Sequence, residues 1–232
     1  MFFPLLAESL PFDLVYIIGA ALLAYLLGSI PTAVWFGKWR YGIDIREHGS
    51  GNAGATNTFR VLGKKAGVFV MAVDVLKGYL ATSLAVLLVF WNIASYDEFI
   101  LYKIIFYKLI FGSLAVVGHI FPVYARFKGG KGVATLLGMM LAVNHTITLM
   151  CVGVFIIVLL LSKYVSLGSL LATLAFPLFL LLPRFKPDDP VLIVFGFLMF
   201  LVVALTHQKN IVKILQGEEN RARLFKKRCL II

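Results

Sequence analysis

The stretch VATLLGMMLAVNHTITLMCVGVFIIVLLLS, residues 133–162, decides how this chain is read. Its 30 residues contain no Lys, Arg, Asp or Glu. That is longer than the roughly 20 residues one bilayer-crossing helix needs. The polar pair Asn144-His145 is the obvious place to turn. Outside this stretch, apolar runs predict spans at Leu14–Gly37, Gly67–Trp91, Leu101–Phe121, Ser166–Leu182 and Val191–Thr206. Three polar segments lie between or after them: Lys38–Lys65, Pro122–Gly132 and the tail from His207. All three are basic, and basic loops stay on the cytoplasmic side. A single span over residues 133–162 would send the tail to the opposite side from the first two loops. Two short spans turning at Asn144-His145 bring all three to one side. The expectation is an all-α polytopic membrane protein with seven transmembrane helices, its N-terminus outside and its C-terminus cytoplasmic.

The composition agrees. The 232 residues are 61% hydrophobic and 14% charged, against about 25% charged in soluble domains. This excludes a soluble globule, a disordered chain and a disulfide scaffold. The net charge of +11 reads as membrane orientation rather than nucleic-acid binding. With seven spans, eighteen basic and five acidic residues fall on the inner side, and four basic and six acidic outside, a balance of +13 against −2. Cys151 lies in an apolar run and Cys229 in the basic tail, so no structural disulfide is expected. The N-terminus carries Glu8 and Asp13 without a preceding Lys or Arg, and the first span is long enough to remain in the bilayer, unlike a signal peptide. No repeat or long linker divides residues 1–232, which read as a single integral membrane domain. Asp74 and Lys77, three apart inside the second span, can pair on one helix face and brace the bundle; charges at such depth are functional candidates by default.

Three polar stretches carry the chemistry. The first, His48-Gly49-Ser50-Gly51-Asn52-Ala53-Gly54-Ala55-Thr56-Asn57-Thr58-Phe59-Arg60, is rich in small residues that let backbone N–H groups approach an anion. Ser50, Asn52, Asn57 and Arg60 add donors, and an Arg can grip a phosphate with two parallel hydrogen bonds. In the second, Gly129-Gly130-Lys131-Gly132 immediately precedes an apolar helix. Unpaired N–H groups and a partial positive charge at a helix N-terminus suit phosphate, with Lys131 as the point charge. Nucleotide-binding P-loop spacing is absent. In the third, His207 and Asn210 share a helix face, and Glu219 is expected to play a structural part. Ser166 and Ser169 fall on the same side; their hydroxyls either line a pocket or cap a helix.

No Cys/His spacing suits zinc, no His is followed five positions later by Asp, and Ser50 does not sit in a Gly-x-Ser-x-Gly elbow. The arrangement instead reads as a phosphate site at the inner membrane surface.

Residues Gly49-Ser50-Gly51-Asn52 through Thr56-Asn57 and Arg60 resemble the first of three motifs of the bacterial acyl-phosphate-dependent glycerol-3-phosphate acyltransferases. Gly118-His119 with Gly129-Gly130-Lys131-Gly132 resembles the second, and His207-x-x-Asn210-Ile211 through Gly217-x-Glu219 the third. Each motif is short; three in order are specific. Ser29-Ile30-Pro31 also fits, while the tail beyond Glu219 is longer and more basic than the pattern. The resemblance implies transfer of a fatty acyl group from acyl phosphate to glycerol 3-phosphate, giving lysophosphatidic acid and phosphate for phospholipid synthesis. It implies no metal or cofactor, and a multi-pass place in the bacterial inner membrane with the active site facing the cytoplasm. On that footing Ser50, Arg60, His207 and Asn210 are the expected catalytic residues. Asn52, Asn57, Gly129, Gly130, Lys131, Gly132, Ser166 and Ser169 are expected to bind substrate. Two rivals follow from the same residues: a transporter of a phosphorylated small molecule, and a non-catalytic anchor for anionic lipid.

Overall fold

The computed structural model describes residues 12–91 and 100–222. Glu8, Asp97, Glu98 and the basic tail with Cys229 lie outside the described residues. Among those described are ten α-helices and no strand. In chain order they are α1 (Phe12–Gly28), α2 (Thr32–Tyr41), α3 (Ala55–Val61), α4 (Lys64–Trp91), α5 (Ile100–Ile120), α6 (Val133–Val143), α7 (His145–Ser162), α8 (Val165–Leu180), α9 (Val191–Thr206) and α10 (Gln208–Leu215). They form two compact units, residues 1–145 and 146–232.

Helices α4, α5 and α7 are each long and apolar enough to cross a bilayer, and the bent pairs α1–α2 and α9–α10 bring the number to five. Helices α6 and α8 are apolar but shorter. Large apolar side chains such as Leu87, Leu161 and Leu201 stand exposed on the outer faces, where lipid tails rather than water solvate them.

The break in the long uncharged run falls where the sequence places it. Helix α6 stops at Val143, Asn144 is extended (φ −149°, ψ 92°), and α7 begins at His145. The Lys108 ammonium on α5 donates to the Ala142 carbonyl at 2.8 Å, supplying a cation where the helix exposes its last carbonyls.

The first run differs from expectation. It is not one helix but two, bent by 43° at Ser29-Ile30-Pro31. Proline has no N–H to give and pushes the residue before it out of the helical region. Helix α2 then ends at Gly42 (φ 69°), whose N–H bonds Lys38 while that of Ile43 bonds Gly37. The first polar stretch also differs: its second half, from Ala55, is the helix α3, so Thr56, Asn57 and Arg60 are helical rather than in a loop.

In the first unit the helices touch through small residues. Ala24, Ala81, Ala85 and Ala115 surround Phe111 where α1, α4 and α5 meet. The α4–α6 crossing is closer still. A Cβ on Gly78 would overlap the Thr135 carbonyl, and one on Gly138 the Val75 carbonyl. Such backbone-to-backbone packing is how membrane helices gain dispersion contact without a hydrophobic driving force.

In the second unit Gly168 of α8 lies against the Phe155 ring of α7, and Gly196 of α9 against Pro177 of α8. Helix α10 turns off α9 by 69°. Beyond α10 the chain returns to the α7–α8 turn, where the Ala222 N–H donates to the Lys163 carbonyl at 2.7 Å.

Candidate active site

In the first unit the Ser50 loop is built around one buried amide. Asn57 donates both Nδ2 hydrogens to loop carbonyls, Ile45 at 3.0 Å and His48 at 2.9 Å, and its Oδ1 accepts the Ser50 N–H at 2.9 Å. Both amide donors are thus used within the loop, so Asn57, which the sequence suggested as a substrate-binding residue, shapes the Ser50 turn. Gly49 (φ 64°) and Gly51 (φ 73°) take the left-handed turns on either side of exposed Ser50. Arg60 is exposed in the last turn of α3, and Asn52 is half-buried.

A second brace precedes the loop. Asp44 accepts from Arg46 through Nε (2.9 Å), Nη2 (2.7 Å) and the backbone N–H (3.1 Å), and lies 3.3 Å from Lys38 Nζ. The Arg46 hydrogen bonds hold the Asp44 carboxyl well below the usual carboxylate range, against a smaller opposing effect of burial. The remaining Arg46 nitrogen, Nη1, donates to the Ala125 carbonyl at 3.0 Å. This bond ties the Ser50 loop to the glycine-lysine loop.

That second loop leaves α5 at Ile120, and Arg126 and Phe127 follow with φ of 54° and 59°. Two successive non-glycine residues in the left-handed region are strained. Bonds from Ala125 and Phe127 back to the Pro122 carbonyl, at 3.1 and 2.8 Å, hold the turn.

Gly129 and Gly130 were expected to bind substrate. Their N–H groups are donated to the carbonyls of Ile120 (3.2 Å) and His119 (3.1 Å). These glycines are needed for close approach: a Cβ on Gly129 would overlap the His119 carbonyl, and one on Gly130 would overlap His119 Nε2. Gly132 (φ 82°) starts α6. Helix geometry leaves the N–H groups of Val133, Ala134 and Thr135 without an intrahelical acceptor, and Leu136 is the first to bond back, to Gly132 at 2.7 Å. Beyond these bonds, the loop carries the N–H groups of the first turn of α6 and half-buried Lys131.

The second unit gathers the third motif. Glu219 Oε1 accepts from Asn210 Nδ2 at 2.8 Å and from the Ser166 hydroxyl at 3.0 Å. Ser169 donates to the Val165 carbonyl of its own helix at 3.0 Å, so its proton is committed to α8. Buried His207 sits at the α9–α10 bend, its Nδ1 2.8 Å from the Val203 carbonyl. A carbonyl can only accept, so Nδ1 carries the proton and Nε2 is the basic nitrogen of the neutral ring.

Sequence reasoning missed Asp44 and Arg46, whereas the helix start after Gly132 was read as a source of N–H donors. The run Ile43-Asp44-Ile45-Arg46 lies directly before the first motif, and its alternating charges were the available signal. Ala125, the carbonyl that Arg46 reaches, carries none.

The family model described as glycerol-3-phosphate acyltransferase matches residues 18–217. A glycerol-3-phosphate acyltransferase of Chlorobaculum tepidum is 42% identical over 218 residues, covering 85% of this chain and 93% of that one. One of Geobacillus kaustophilus is 45% identical over 202 residues, covering 87% and 94%. Among solved structures, PlsY (YgiH), an integral membrane glycerol 3-phosphate acyltransferase, superposes in its glycerol 3-phosphate form with a TM-score of 0.75 at 37% identity, over 88% of this chain and 94% of PlsY. Its lysophosphatidic acid form gives 0.73. Two-thirds or more of both chains are aligned in every case, and the match runs through both units; this chain belongs to the glycerol-3-phosphate acyltransferase family.

Proposed function

We propose that this protein is an enzyme of the bacterial inner membrane that acylates glycerol 3-phosphate to lysophosphatidic acid, with a fatty acyl phosphate as donor. The observation that carries the reading is the pairing, within the first unit of a chain of this family, of a braced Ser50 loop with Lys131 at the start of α6. Family membership favours this over transport or lipid anchoring.

In the reaction a glycerol 3-phosphate hydroxyl oxygen attacks the acyl carbonyl carbon. The new ester C–O bond forms, the anhydride C–O bond breaks, and inorganic phosphate leaves with the electron pair. Because the donor is an activated mixed anhydride, the protein has mainly to position two anions and stabilise developing charge. Lys131 and the first-turn N–H groups of α6 hold the glycerol 3-phosphate phosphate, on a turn shaped by Gly129, Gly130 and Gly132. Ser50, Asn52 and Arg60 hold the acyl phosphate and its leaving group. A substrate phosphate oxygen takes the hydroxyl proton; within the second unit, Glu219 holds Asn210 and the Ser166 hydroxyl together.

The family match through both units supports treating residues 1–232 as a single acyltransferase domain. The charge balance and the break at Asn144 support seven spans with the N-terminus outside and the active site facing the cytoplasm. Reporter fusions at Asn144 and at the C-terminus should then report opposite sides; the same side for both would overturn that topology.

The purified protein given acyl phosphate and glycerol 3-phosphate is expected to release lysophosphatidic acid and phosphate in equal amounts. Absence of product in both detergent and lipid would sink the enzyme reading. Product from acyl-CoA or acyl-carrier protein but not from acyl phosphate would sink only the donor.

A further inference from the structure

The ion pair in α4 has no part in the chemistry above, yet it lies deep in the first unit: Asp74 is 1% exposed, Lys77 4% and His119 6%. Such pairs are weak devices for stability, because well-packed apolar residues often do as well in their place. Their contacts suggest another use. Asp74 Oδ1 accepts from Lys77 Nζ at 2.9 Å and from the Thr32 hydroxyl at 3.0 Å, while Lys77 Nζ also donates to the Ile30 carbonyl at 2.8 Å. His119 Nδ1 lies 3.7 Å from the same carboxylate oxygen, within electrostatic reach though long for a hydrogen bond.

The opposite edge of that ring meets the glycine-lysine loop. Nε2 occupies the place a side chain on residue 130 would need, and the His119 carbonyl receives the Gly130 N–H at 3.1 Å. The imidazole thus separates a fixed carboxylate from a loop backbone that follows its surface. Gly130 directly precedes Lys131, so a displaced ring carries the ammonium and the start of α6 with it.

We propose that His119, backed by the Asp74–Lys77 pair, is a positioning residue for the glycine-lysine loop: its ring sets where Gly130 rests and so places the donors that receive the acceptor's phosphate. The proposal rests on the reading of this loop as the glycerol 3-phosphate site. His119 touches neither substrate, so its loss weakens acceptor binding and leaves bond-making largely intact.

Steady-state kinetics on the full-length protein, varying glycerol 3-phosphate, test this. His119→Ala and His119→Asn are each expected to raise KM for glycerol 3-phosphate about tenfold, the effect of one misplaced anchor, with kcat changed by less than about threefold. The Asn variant retains a donor facing Asp74 and carries the test if the Ala variant is not recovered folded. Gly130→Ala is expected to be severe alone and much milder where position 119 has been trimmed, because the overlap is then gone. Multiplicative effects of the two changes would overturn the proposal, since independent sites combine in that way. Lys131→Ala separates the two readings. If it raises KM while the His119 variants do not, the positioning role falls alone. If it leaves KM unchanged, the phosphate assignment falls and takes the positioning role with it.

Discussion

The two loops of the first unit solve the same problem in opposite ways. On the proposed reading, each must hold backbone and cationic groups ready for an anion. The Ser50 loop is braced from within: Asn57, seven residues after Ser50, bonds three backbone groups of its own stretch. The glycine-lysine loop has no such internal amide. It rests on the end of α5 through two backbone hydrogen bonds and on the His119 ring, which in turn faces charges on α4. Arg46 ties the two together, reaching the Ala125 carbonyl at 3.0 Å. A self-braced loop is governed by its own residues; an externally braced one answers to the bundle.

The comparison can be broken most forcefully at Asn57. Asn57→Leu removes three hydrogen bonds from a buried site, each worth about 1 kcal/mol and more where a partner is left unsatisfied, so kcat/KM is expected to fall roughly 100- to 1000-fold. The loss should fall chiefly on the donor, because the loop that relaxes is the one assigned to acyl phosphate; initial rates at varied donor and acceptor would show it. A loss confined to the acceptor would mean that Asn57 braces the wrong loop. Arg46→Met should come next, at about tenfold in kcat/KM for one lost charged hydrogen bond, and its effect should not add to that of a change at Ala125's turn.

A smaller effect is expected in acid. Asp44 has a depressed carboxyl pKa in the folded protein. Its contribution to stability is therefore complete above the unfolded carboxylate value of about 3.9 and is lost as pH falls from there through the folded value. Thermal unfolding of the wild type below pH 4 should show a steeper loss than that of Asp44→Asn; superimposable acid limbs would remove Asp44 from the brace. Smallest of all is Ser169→Ala. A hydroxyl bonded back to its own helix contributes little, so less than about threefold is expected in kcat/KM, whereas Ser166→Ala should be felt through Glu219.

How far the sequence could be read follows the same division. The break at Asn144-His145 was legible because a polar pair interrupts an otherwise uncharged run. The bend at Ser29-Ile30-Pro31 was legible in principle, since Pro31 stands within the first apolar run, but hydropathy averages across a single proline. Ser50, Arg60 and Lys131 were visible as polar residues among glycines. The part played by Asn57 was not, because a side chain that binds its own backbone and one that binds a ligand have the same composition. Likewise the composition of Gly129-Gly130 marked a tight turn, but not that their missing Cβ atoms make room for His119. The contact of His119 with Gly130 spans eleven residues of chain, and that with Asp74 forty-five; no local pattern records either.

The glycine crossing of α4 and α6 bears on more than packing. At Gly78 and Gly138 only backbone separates the helices, so no rotamer can change there to absorb a displacement. Met71 and Leu76 on the same helix α4 are exposed to the lipid. A push on that face passes to α6 and so to Gly132, where the helix meets Lys131. On the proposed reading, KM for glycerol 3-phosphate should therefore shift between loosely and tightly packed lipids of equal charge, and an identical KM in both would show the crossing to be mechanically silent.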